Sequence, residues 1–180
     1  MNFPTKNNRV TSKYGWRDLS GRLDYHSGID CGCLDNNNPT NDGIYAIEDG
    51  VVRVSKMNEG GYGHYVVVEH DGYCSLYAHL KQRLVRVGDS VKAGDIVGNM
   101  GNTGNSFGIH LHFEIRDVEY GRFWERWSNS EPRHAVNPKC FMYIGMNEST
   151  EVIPEEIAEL LKQNIEMKQI LDSINKISEV

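Results

Sequence analysis

Short apolar runs separated by clusters of Gly, Asn and Asp dominate the first 145 residues, the pattern of an all-β domain. Strands are predicted over 44–47, 50–55, 64–70, 75–80, 96–100 and 110–116. Turn signals lie between them: Glu59-Gly60-Gly61, Asp71-Gly72, Gly88-Asp89 and Gly101-Asn102-Thr103-Gly104-Asn105. Asp71-Gly72 between two alternating runs predicts a tight hairpin. In 75–80, alternation puts Leu76, Ala78 and Leu80 on one face and Tyr77 and His79 on the other. In 110–116 it puts His110 and His112 on one face, and turns Leu111, Phe113 and Ile115 toward a core.

Two segments break this rhythm. Residues 119–138 gather Tyr120, Arg122, Phe123, Trp124, Arg126, Trp127 and Arg133. They read as a loop with at most one helical turn, either a flap packed down by its tryptophans or one wall of a groove. From residue 148 the composition changes. Pro154-Glu155-Glu156 opens a helix, since Pro and acids suit a first turn. Ile157, Leu160, Asn164, Met167, Leu171 and Ile174 then follow a heptad seam, widened by Ile170 and Ile177, with Asn164 placed as a register-fixing polar residue. A seam of about three heptads is short for a helix standing alone. It is expected to pack on its own domain, or to pair with other copies or a partner through 153–177. The chain thus divides into a domain over 1–147 and an amphipathic α-helix over 148–180.

Composition narrows the function. A net charge of -6, with no basic run, argues against binding nucleic acid by phosphate neutralisation. No apolar stretch approaches the ~18 residues of a membrane span. Met1-Asn2-Phe3-Pro4-Thr5-Lys6 has no apolar signal region, so synthesis in the cytoplasm without a leader is expected. Cys31, Cys33, Cys74 and Cys140 are then expected to be reduced, packed thiols. Cys31 and Cys33 form CxC, not the CxxC of zinc ribbons.

The chemistry concentrates in three stretches: His26-Ser27-Gly28-Ile29-Asp30, Tyr77-Ala78-His79-Leu80 and His110-Leu111-His112. Gly28 allows a bend that brings His26 and Asp30 to one point. His110 and His112 stand about 7 Å apart on one strand face, so both reach one site without both having to ligate. His79 adds a fifth group. Together they offer three ligands and two spare imidazoles, the equipment of a metal-assisted hydrolysis. His64, His70 and His134 have no such pairing, and His64 and His70 are expected to face solvent at the ends of a Val-rich strand.

The surrounding residues sharpen this. Thr11-Ser12-Lys13-Tyr14-Gly15-Trp16-Arg17 precedes the first stretch; Ala46–Val52, Gly61–Val68 and Val87–Gly98 fall between the others; Gly101–Glu114 carries the last, and Val136-Asn137-Pro138 follows. In this order and spacing, residues 9–142 resemble the lysostaphin/LytM-type zinc metallopeptidases. The resemblance implies an antiparallel β-sheet sandwich of the duplicated hybrid motif type, with a zinc-floored groove. It implies one Zn2+ ligated by His26, Asp30 and His112, with His79 and His110 as catalytic histidines. His110 would take the proton of the attacking water, and His79 would stabilise the oxyanion or protonate the leaving amine; which does which stays open. The implied substrate is the stem peptide or cross-bridge of bacterial peptidoglycan. A wall hydrolase without a leader would act after lysis, after release through a holin-type pore, or as part of a virion, which suits a phage or prophage lysin or tail enzyme. Two other readings are a non-enzymatic wall-binding or regulatory relative, and a phosphotransfer or biotinyl-like carrier domain suggested by the rhythm of 87–98.

Overall fold

A computed structural model of the chain describes residues 1–18, 21–34, 42–125 and 134–146, and beyond them Glu155, Ala158, Glu159 and Lys162. Thirteen strands are described: β1 (Val10–Ser12), β2 (Gly15–Asp18), β3 (Leu23–His26), β4 (Ile29–Gly32), β5 (Gly43–Tyr45), β6 (Gly50–Asn58), β7 (Gly63–Glu69), β8 (Cys74–Leu80), β9 (Gln82–Arg83), β10 (Ser90–Val91), β11 (Ile96–Asn99), β12 (His110–Arg116) and β13 (Ala135–Val136). One helix, α1 (Pro138–Met146), follows. The main sheet runs β1-β4-β12-β8-β7-β6-β10, with β13 on the far part of β12. A small sheet, β5-β11-β9, packs over it, and β2-β3 form a separate hairpin. Every pairing is antiparallel.

The core lies between the two sheets. Ile29, Leu111, Phe113, Ile115, Val66, Val68 and Tyr77 face Ile44, Val97 and Met100 across it. The other face of the main sheet carries a second cluster of Val54, Tyr65, Val67, Cys74, Leu76, Ala78 and Phe123. Strands β7 and β8 are therefore apolar on both sides, which explains their nearly unbroken Val and Leu character.

All six predicted strands are present within a few residues of their expected ends, and Asp71-Gly72 makes the β7–β8 turn, where His70 N–H donates to the Tyr73 carbonyl at 2.8 Å. The face assignment over 75–80 is corrected. His79 has φ +59°, and the β7–β8 register shifts between His64 and Val66. This bulge breaks the period of two. Leu80 turns into the main core with Tyr77, while His79 turns to the opposite face, beside Ala78. The expectation that His70 faces solvent is also corrected. It is buried, stacked on Tyr73, with Nδ1–H donating to the Asp49 carbonyl at 2.8 Å and Nε2 2.8 Å from the Ser75 hydroxyl.

Within the aromatic segment, Tyr120–Arg122 form a single 3-10 turn, and Phe123 is buried in the second cluster. Residues 119–125 are thus packed down as a flap; Arg126, Trp127 and Arg133 lie outside the described residues. The helix expected over 148–180, and its seam over 153–177, also lie outside them apart from the four positions named above, which are helical. No described helix is long and apolar enough to cross a membrane. All four cysteines are buried and none is in a disulfide, and burial, then the nearby Asp30 charge, pushes the Cys31 thiol up to about 12. Cys31 points into the core, away from Asp30, and so does not compete for a metal.

Candidate metal centre

Three adjacent strand ends build the centre. Register pairs His112 with Asp30 across β12–β4 and with Ala78 across β12–β8. His26 closes β3, opposite Gly15. A Cβ at Gly28 would lie 2.2 Å from the Phe113 carbonyl oxygen, so the turn between His26 and Asp30 rests on β12 only because position 28 has no side chain. Its φ is outside the left-handed region, so space, rather than conformational freedom, explains this glycine.

His26 Nε2, Asp30 Oδ1 and His112 Nδ1 form a triangle with edges of 2.9, 3.1 and 3.1 Å. Among the described residues, these three are the group whose donor atoms could hold a metal ion. Three donors around a tetrahedral zinc at 2.0–2.1 Å stand about 3.3 Å apart. The triangle fits that ion after an expansion of a few tenths of an ångström. The remaining imidazole nitrogens are fixed as ligands require. His26 Nδ1–H donates to the Lys13 carbonyl at 2.7 Å, and His112 Nε2–H donates to Glu114 Oε1 at 3.0 Å.

The two further histidines face the same point. His110 Nε2 lies 3.5 Å from Asp30 Oδ1, while its Nδ1–H donates to the Gly108 carbonyl at 2.8 Å. The His79 ring lies 4.9 Å from His110 and 5.8 Å from His112, centre to centre, and its Nδ1–H donates to the Thr103 carbonyl at 2.8 Å. Carbonyls only accept, so both rings carry the proton on Nδ1 when neutral and keep Nε2 bare. The five residues singled out from the sequence are thus brought together. His64 and His134 are not part of the centre; His134 Nε2 lies 2.9 Å from Glu125.

Electrostatics follow from burial and crowding. Burial alone would raise Asp30, but hydrogen bonds and charge from His112 and His26 hold it well below the usual carboxylate range. Burial opposes charge on His112, yet Asp30 and Glu114 on either side hold it at about 9 in the metal-free protein. Burial, then the His112 charge, lowers His79 to about 4. Burial would raise Glu114, but the Arg116 charge and His112 keep it ionised.

Several residues of the centre carry no sequence signal beyond their strand position. Glu114 and Arg116 share the His112 face by the period of two, and both are fully buried behind it. Tyr62 donates its hydroxyl to Glu114 Oε1 at 2.8 Å. Thr103 holds His79 through its carbonyl and bridges the His64 N–H and the Leu80 carbonyl through its hydroxyl, at 2.9 and 2.7 Å.

Comparison with known proteins agrees with this geometry. The sequence pattern of Peptidase family M23 matches residues 24–128. The peptidoglycan DD-endopeptidase ShyC of Vibrio cholerae is 37% identical over 119 residues, covering 64% of this chain and 26% of that protein. The chain spans about a fifth to two-fifths of the length of such curated relatives. The catalytic domain of the antimicrobial peptidase lysostaphin from Staphylococcus simulans superposes with a TM-score of 0.60 at 31% identity, covering 76% of this chain and 93% of that one. A mutant catalytic domain of the prophage-encoded protein EnpA from Enterococcus faecalis gives 0.59 at 31% identity, covering 77% and 94%. With more than half of its residues matched, and the donor triangle formed by the His-x-x-x-Asp and His-x-His stretches inside that match, the chain belongs to peptidase family M23.

Proposed function

We propose that this chain is a zinc endopeptidase that hydrolyses peptide bonds in the stem peptides or cross-bridges of bacterial peptidoglycan. One zinc ion per chain is held by His26 Nε2, Asp30 Oδ1 and His112 Nδ1. The observation that carries this reading is the donor triangle with two more imidazoles aimed at it. A bound zinc ion supplies Lewis acidity at that point, lowering the pKa of water toward about 7 and polarising the scissile carbonyl.

The chain's own groups handle the protons. His110 Nε2, bare and 3.5 Å from Asp30 Oδ1, takes the proton of the attacking water. His79, neutral at pH 7 because burial and its neighbours disfavour charge, accepts the second proton of that water at Nε2, and both imidazoles then give their protons to the leaving nitrogen, which departs as an ammonium while the acyl half leaves as a carboxylate. The Gly108 and Thr103 carbonyls keep both rings in the tautomer this requires.

Mass spectrometry of purified peptidoglycans of several cross-bridge types tests the proposal, comparing zinc-loaded protein with His110→Ala. New peptide termini that need the intact protein support it and identify the bond. A folded, zinc-loaded protein that yields none on any wall type refutes it in favour of wall binding. The likeness to prophage-encoded EnpA supports placing the chain among wall hydrolases borne by phage or prophage. Expressed in the cytoplasm, this chain is then expected to leave host cells intact and to lyse them when a holin-type pore is co-expressed; lysis without the pore refutes this placement.

A further inference from the structure

Behind His112 lies an ion pair that solvent does not reach. Glu114 and Arg116 have no exposed surface. Glu114 Oε2 accepts from Arg116 Nε at 3.0 Å and from Nη2 at 2.6 Å. Glu114 Oε1 accepts from the Ser27 hydroxyl at 2.6 Å, the Tyr62 hydroxyl at 2.8 Å and His112 Nε2 at 3.0 Å. Five donated hydrogen bonds converge on one carboxylate. Arg116 reaches further: Nη1 donates to the Phe123 carbonyl and Nη2 to the Tyr62 hydroxyl at 3.1 Å. Its guanidinium stands 4.0 Å from the Phe123 ring centre and 5.5 Å from that of Trp124.

Such a pair is a weak source of stability, because well-packed apolar residues in its place are often as good or better. A ligand imidazole, however, gains from a carboxylate on its far nitrogen, which fixes the tautomer and the ring and strengthens the donor atom. We propose that Glu114 is a positioning residue for His112, and Arg116 a positioning residue for Glu114. In the zinc-loaded protein they would keep the ε proton of His112 on the Glu114 side, so that Nδ1, facing His26 and Asp30, is the nitrogen that gives up its proton when the ion binds. The inference rests on the reading of those three residues as metal ligands. The guanidinium sets the direction of the carboxylate through two hydrogen bonds, and the Phe123 carbonyl and ring set the direction of the guanidinium. The 119–125 flap is thereby part of the support of the centre, with no atom in it.

Zinc affinity of the full chain, measured by competition with a chelating indicator, tests this without reference to wall hydrolysis. Glu114→Gln alone strands a buried guanidinium, so Glu114→Gln/Arg116→Met, which removes both charges, is compared with it. The double variant is expected to fold, to bind zinc about 10–100-fold more weakly, and to change the visible spectrum of the Co2+-loaded protein. A folded double variant with unchanged zinc affinity and an unchanged Co2+ spectrum overturns the inference alone. A wild-type chain that takes up no zinc overturns the ligand reading, and the inference with it. If the double variant does not fold, long-range 1H–15N correlation on the zinc-loaded wild type decides. A proton on His112 Nε2, strongly hydrogen-bonded, supports the pairing; a proton on Nδ1 refutes it.

Discussion

Replacing Gly63 by Ala should damage stability and turnover while sparing zinc binding. Gly63 has φ +65°, and a Cβ there would meet the Thr103 carbonyl oxygen at 2.3 Å and the Thr103 hydroxyl at 2.4 Å. Left-handed backbone costs an Ala about 1–2 kcal/mol. Wedging a methyl group against a packed backbone adds about 1–3 kcal/mol. The stiffer unfolded chain returns about 0.4–1 kcal/mol. The net loss is about 1–4.6 kcal/mol, and at about 2–4 °C per kcal/mol for a chain of this size the midpoint falls by roughly 2–18 °C. The displaced segment carries the carbonyl that fixes His79, so turnover should drop at least about tenfold. None of the three donor residues touches it, so zinc affinity should hold. Gly60→Ala is the control, because a Cβ there meets nothing within 4 Å. Thermal melts of the metal-free proteins, zinc titrations and wall digestion measure the three effects. A Gly63→Ala protein that melts within about 2 °C of Gly60→Ala and keeps full turnover refutes the reasoning.

Gly28→Ala should act on the opposite property: pushing β4 off the Phe113 carbonyl separates Asp30 from His112, so zinc affinity falls in a titration while the protein stays folded. His110→Ala should keep zinc affinity within the scatter of the titration and lose about 10²–10⁴ in wall hydrolysis, the range of a general base. His70→Gln should change the pH dependence of stability. Burial, against the Asp49 carbonyl and the Glu48 and Asp49 charges, holds folded His70 below its ordinary value, so between the two values the unfolded chain binds more protons. Its contribution is full above about pH 6.5 and is lost as pH falls through the folded value. Urea unfolding at pH 7.5 and 5.5 should show a smaller difference in His70→Gln than in wild type, and equal differences would count against a buried neutral His70. The same variant should cost about 1–3 kcal/mol at pH 7.5, because Gln cannot reproduce both hydrogen bonds of the imidazole, to the Asp49 carbonyl and to the Ser75 hydroxyl.

The fold was legible where apolar content outweighs everything else. Strands β6, β7, β8, β11 and β12 carry Val, Ile, Leu and Tyr, and their turns contain the glycines that turns need. Strands β1 to β4 were not legible: Val10–Ser12 and Leu23–His26 are three or four residues of mixed polarity, below the length at which a period shows. Helix α1 escaped for a related reason, since Pro138-Lys139-Cys140-Phe141 reads as well as a closing loop. His79 is a third kind of failure. Its left-handed backbone is imposed by the bulge against β7, and strict alternation cannot anticipate a shift that tertiary pairing creates.

The donor residues were legible because their types and spacings are rare together; their support was not, and the reason lies in what alternation measures. In His110-Leu111-His112-Phe113-Glu114-Ile115-Arg116 the polar positions alternate cleanly with the apolar ones, which in an antiparallel sheet ordinarily means one wet face and one dry face. Here both faces are covered. Tyr62, Phe123 and the second apolar cluster roof the polar side, so Glu114 and Arg116 have no contact with water. Alternation separates two faces but does not say what lies over either. A charge at such a position therefore reads as solvated until a roof is found. Once it is found, burial requires each charge to have a partner, and Glu114 and Arg116 are adjacent on their face and satisfy each other. The aromatic segment that broke the rhythm of the sequence and the charged positions of β12 are thus two sides of one interface, with the donor triangle at its edge.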